Sequence, residues 1–139
     1  MPSVREQVLA AIALRLGSVA GLTVRRNEAL PEKIPTGGLA ILRDGDPGDP
    51  DVVLSPLTYL WRHAAPVEIV VQHGDAAERD RRSDDLVQAA TAALLTDRRL
   101  GGLADWLEAS PPSTDLLPVE GAAAIKAATL TVTIHYATT

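Results

Sequence analysis

The sequence predicts a single α+β domain over residues 1–139, with a largely antiparallel, mixed sheet and an N-terminal helix and a helix pair packed on one face. Three observations predict it. An amphipathic stretch opens the chain, alternating apolar segments occupy its middle and its end, and an alanine-rich amphipathic run lies between those segments. No internal repeat, linker or second domain interrupts that order.

Ser3-Val4-Arg5-Glu6 has the S-x-x-E form of a capping box, so a helix should start there. Val4, Val8, Leu9, Ile12 and Leu16 then supply one apolar stripe, and Gly17 fits its end. Leu22 to Arg26 and Leu39 to Arg43 are short strand candidates, separated by a Pro- and Gly-rich span, residues 31–38. An extended segment runs from Leu57 to about Gln72, where Val67, Ile69 and Val71 alternate with Glu68, Val70 and Gln72. Pro66 within it implies an edge position or a bulge near Ala64-Ala65.

Gly74-Asp75 opens the next helix, and Asp75 with Glu78 repeats the capping logic. Leu86, Ala90, Ala93 and Leu94 should be its buried stripe, while its first turns, charged all round, should project beyond the core. Gly101-Gly102 reads as the helix C-cap, with the glycines accepting a left-handed turn. A short helix from Leu103 to Glu108 should then return Leu103, Trp106 and Leu107 onto the sheet, making residues 100–106 a structural corner. In the final strand Leu130, Val132, Ile134 and Tyr136 face one way, and Thr129, Thr131, Thr133 and His135 the other.

Composition narrows the function. Hydrophobic residues make up 46% of the chain and charged ones 22%, which places it among globular proteins, and with no Phe the core must be aliphatic. Without cysteine there is no disulfide, thiolate metal site or cysteine nucleophile. The start lacks an apolar signal stretch and no run approaches a membrane span, so a soluble intracellular product is expected. A net charge of −5 disfavours general affinity for nucleic-acid phosphates.

The candidate sites are few. Asp44, Asp46, Asp49 and Asp51 fall within eight residues, a density that calcium loops need. An EF-hand loop starting at Asp44 would require glycine where Asp49 stands and an acid where Ser55 stands, so a solvated turn is the better reading. His63, His73 and His135 match no zinc spacing, and surface or sheet-face positions suit them better. No nucleophile elbow or phosphate-binding glycine motif is present, and neither catalysis nor a cofactor is expected. Arg79, Asp80, Arg81, Arg82, Asp84 and Asp85 form a mixed charge run on the second long helix. Such a run is usually a solvated face; its functional alternative is a subunit interface.

A strand ending V-E-I-V-V (67–71), a charged helix ending A-L-L-T-D-R-R-L-G-G-L (93–103), and a closing strand I-K-A-A-T-L-T-V-T-I-H-Y (125–136) recur here in order. With the opening helix and the total length, this arrangement resembles the tail terminator proteins of long-tailed bacteriophages and the related tail-assembly proteins of prophages and gene transfer agents. The resemblance implies a homo-hexameric ring at the head-proximal end of the tail, assembled in the host cytoplasm and retained in the particle. Such a ring stops polymerisation of the major tail tube protein and presents a surface to the head–tail connector or stopper. DNA passes through its lumen without specific binding, and no membrane is involved. A different head–tail connector component, or a small intracellular ligand-binding or enzymatic α+β domain, is the alternative reading.

Overall fold

The computed structural model describes residues 1–139 as two helices and a seven-stranded mixed sheet. The elements are α1 (Val4–Leu16), β1 (Thr23–Arg26), β2 (Leu39–Leu42), β3 (Asp51–Leu54), β4 (Leu57–Gln72), α2 (Ala76–Leu95), β5 (Trp106–Ala109), β6 (Ser113–Leu117) and β7 (Ile125–Thr138). The main strand path is β1-β2-β4-β7-β5; β3 adds to β4 and β6 to β7. Only β1 and β2 pair in parallel.

The spine is the antiparallel β4–β7 ribbon, in register from Tyr59↔Thr138 to Gln72↔Ile125. Its length follows from alternation: β4 turns His63, Ala65, Val67 and Ile69 to the helices, while β7 turns Ala128, Leu130, Val132, Ile134 and Tyr136 to the same side. There they meet Val8, Leu9, Ile12 and Leu16 of α1 and Val87, Ala90 and Leu94 of α2. Burying a side chain of this kind contributes about 1.5–3 kcal/mol, and this layer is the main core. A smaller cluster on the opposite face gathers Leu39, Ile41, Val70 and Ile125 beneath Ile34 of the Pro-rich span. Beyond it, that face presents half-buried Thr129, Thr131, Thr133 and His135.

Several expectations are corrected. Pro66 neither bulges nor edges the sheet; it pairs with Thr131 inside the continuous β4–β7 ladder. Its missing N–H faces the β2 side, where the ladder has ended at Leu42 and the Pro66 carbonyl accepts from Arg43 N at 2.9 Å. Ser3 caps α1 through Glu6 N, but Glu6 pairs with Arg26 of β1 instead of closing the box. Gly17 ends α1 with a right-handed φ of −64°.

The larger correction concerns the helix pair. Its second member is one 3₁₀ turn (Leu100–Gly102) followed by strand β5, so Trp106 and Leu107 reach the sheet as part of it. α2 ends at Leu95 with Thr96 as its C-cap, five residues before the first of the paired glycines. Nor do the first turns of α2 project. The buried stripe is Arg79, Ser83, Val87, Ala90 and Leu94, which sets Leu86 and Ala93 half-exposed on its flanks.

Candidate functional site

The residues 97–106 corner is built on Asp97. Its carboxylate accepts from Gly101 N at 2.8 Å, Arg99 N at 3.0 Å and Arg15 of α1 at 3.1 Å. Those backbone amides, more than Arg15, hold the Asp97 carboxyl below its ordinary range. Around it Leu100, Gly101 and Gly102 take φ of 50°, 69° and 99°, all left-handed. Leu100 accepts that conformation and buries its side chain, while Leu103 packs against the core as a half-buried residue. The indole of Trp106 is 43% exposed, with Arg98 lying 5.0 Å from its ring centre and His135 alongside. Arg98 also donates to the Leu107 carbonyl at 3.2 Å. The sequence reading named the glycines and missed Asp97, whose position just after a helix was the available signal.

The charge run on α2 divides. Arg79 is buried; it donates to the His73 carbonyl at 2.8 Å, and its Nε has no partner. The other five lie at the surface with partners of their own. Arg81 and Arg82 share Glu78, Arg81 reaches Asp85, Asp80 meets Lys126 of β7, and Asp84 accepts from Gln88. Hydrogen bonds from Arg81, then Arg82, pull Glu78 down to about 2.

Asp44 is exposed, as expected of a turn residue, and it is also an anchor. Its carboxylate accepts from Arg26 at 2.8 Å and Asn27 at 2.9 Å, which holds it low, Asn27 contributing most. Its carbonyl meets His63 Nε2. Gly45 is required beside it, because a Cβ there would lie 2.0 Å from the Ala64 carbonyl oxygen. Asp46 caps its own turn through Gly48 N at 2.8 Å, whereas Asp49 and Asp51 make no ion pair.

The three histidines do not meet. His63 is buried under the helices, His73 accepts from Asp75 N at 3.0 Å before α2, and His135 lies on the opposite face of the sheet. No three His, Asp or Glu side chains converge as a metal-binding group, and no helix is long and apolar enough to cross a membrane. The open end of the sheet carries a cleft of about 480 Å³ bordered by Asp49, Asp51, Arg62, Asp105 and His135.

What stands out on the surface is apolar. Of eleven large hydrophobic side chains left exposed, five (Val52, Val53, Leu54, Leu57 and Leu60) lie on the β3–β4 hairpin. Three more, Trp106, Leu116 and Leu117, lie on β5 and β6. β3 and β6 are exposed at every residue. They flank opposite sides of the β4–β7 ribbon, and neither has a strand on its outer side. Sequence patterning did not predict either strand. No protein-family model matches the chain, and no curated protein matches it significantly.

Proposed function

We propose that the chain is a structural assembly protein of a phage-like tail, acting as a ring of identical copies that caps the head-proximal end of the tail tube. The observation that carries this reading is the placement of exposed aliphatic side chains on two opposite edges of one sheet. An unpaired, apolar strand edge is a liability for a protein that stays alone. Two such edges on one molecule suit head-to-tail contacts, which close into a ring when the rotation per copy permits.

Six copies, the tube protein below and a head–tail connector above are the partners that the resemblance adds. The role is mechanical, without catalysis or a cofactor. On the edge formed by β6, the surface charges Asp80, Arg81, Asp84 and Asp85, with half-buried Arg82, would border the subunit boundary, since Lys126, the partner of Asp80, pairs with Leu116. Net negative charge suits a lumen through which DNA slides, because clustered Lys and Arg would hold its phosphates. Reconstruction of the intact particle tests the proposal. Six copies at the junction of tube and head are expected; absence of the chain from that junction, or another symmetry there, overturns it.

A further inference from the structure

We infer that the β3–β4 hairpin of one copy docks on the corner-and-β5 edge of the next copy, making a head-to-tail interface between identical chains. The ring reading supplies only the number of copies; the interface itself is argued from the two edges.

The hairpin is unlike a solvated one. A two-stranded ribbon at a surface normally turns polar residues outward on at least one face. Here Val52, Leu54 and Leu57 lie on one face and Val53 and Leu60 on the other, all exposed. Both faces therefore call for cover. An isolated hairpin would be marginal, but Tyr59 and Leu60 continue the β4–β7 ladder through Thr138 and Ala137, so this arm is held out rigidly.

The opposite edge offers the matching surface at the same end of the sheet. His135, two residues from Ala137, pairs with Trp106 at the start of β5. The half-exposed indole there supplies apolar area, and Arg98 and Arg99 beside it have no carboxylate partner within the chain. On the arm side, Asp49 and Asp51 are the unpaired acids, and Arg62 of β4, beside them in the cleft, is the one unpaired cation, so the acidic character is confined to the residues 49–51 side of the arm. Unpaired acids thus flank the donor edge and unpaired guanidinium groups flank the acceptor edge, the complementarity that fixes register between partners. Asp105 and Glu108 also lie near the acceptor edge, which confines the match to the residues 97–102 corner. Because donor and acceptor surfaces are different, the contact is heterologous and every copy can use both.

Cysteine cross-linking tests this cleanly, since the chain has no cysteine of its own. Ser55→Cys marks the arm tip and Glu108→Cys marks β5; both positions are exposed, and Glu108→Cys removes only an acid that would repel Asp49 and Asp51. With a short bismaleimide, the mixed full-length proteins should give a covalent heterodimer at least tenfold above either homodimer. Arg99→Glu added to the Glu108→Cys protein should lower that yield, and Asp51→Lys added to the Ser55→Cys protein should restore it. Circular dichroism on each variant separates lost contact from lost fold. Dominant Ser55→Cys homodimers would mean a twofold arm-to-arm contact and overturn the inference, as would no cross-link with folded proteins. A head-to-tail chain that closes at a number other than six would keep this interface and sink the six-fold ring. A six-fold ring built on other surfaces would do the reverse.

Discussion

His63 Nδ1 lies 2.9 Å from the Tyr136 hydroxyl, with both side chains buried beneath the helices. The Asp44 carbonyl at the other ring nitrogen can only accept, so Nε2 carries a proton, and in a ring with that single proton Nδ1 accepts from the Tyr136 O–H. One neutral tautomer satisfies the whole chain of contacts, from the Asp44 turn through β4 to β7. Burial also raises the tyrosine above its ordinary ionisation range.

Tyr136→Phe removes the donor and leaves a buried ring nitrogen without a partner. The expected cost is about 1–3 kcal/mol in urea unfolding, with the slope unchanged. An unaltered midpoint would show that His63 finds another partner at no cost.

At the corner, Gly101→Val and Gly102→Val should each destabilise by about 1–2 kcal/mol, because L-residues resist left-handed backbone. Space is not the reason: a Cβ at either glycine meets nothing within 4 Å. Trp106→Ala should cost less than the roughly 3 kcal/mol or more of a buried indole, since 43% of the residue is exposed. Thermal unfolding of the three variants checks this, and a Trp106→Ala loss of about 3 kcal/mol or more would contradict the half-exposed placement.

Acid should weaken the fold through carboxylates whose folded pKa values are depressed. Glu6 is held down by Arg26, Asp44 chiefly by Asn27, Asp97 chiefly by the Gly101 amide, and Glu78 lies at about 2. Depressed groups stabilise the fold above their unfolded values, near pH 4, and lose that contribution as pH falls through the folded values. The melting temperature should therefore be flat in its carboxylate contribution above about pH 5 and decline below about pH 4. Asp97→Ala should lower it at neutral pH and make the acid decline shallower; an unchanged acid slope would exclude Asp97 from the set.

Arg79 presents the opposite case, a buried cation whose Nε has no partner. Arg79→Met keeps the length, removes the charge and should change stability by no more than about 1 kcal/mol, with either sign allowed by the lost hydrogen bond to His73. A loss of about 3 kcal/mol or more in chemical unfolding would show that the guanidinium is a structural keystone.

The sequence was most legible where one period dominates. β4 begins and ends at the predicted Leu57 and Gln72, and β7 shows its two faces residue by residue. Trp-Leu-Glu-Ala of β5 is four residues of mixed preference, short enough to suit a helix turn or a strand; pairing with β7 decides the matter. β3 and β6 carry no alternation because neither face is buried, so the pattern that reveals a strand is missing. The same exposure is what makes them candidate contacts. Arg79 and Ser83 were misplaced because polar letters signal solvent, while the stripe spacing of four residues carries them under the helix.

The central position of β7 has a consequence for synthesis on the ribosome. This strand pairs with β4, β5 and β6, yet it is made after all of them. Until residues 125–138 emerge, β4 has an open flank 14 residues long, and α1 and α2 have only half of their floor. Folding must wait for contacts that span between 53 residues, from Gln72 to Ile125, and 79, from Tyr59 to Thr138. Such long closures favour slow, late and all-or-none condensation. The nascent chain thus carries an open flank on β4 until β7 itself has been made.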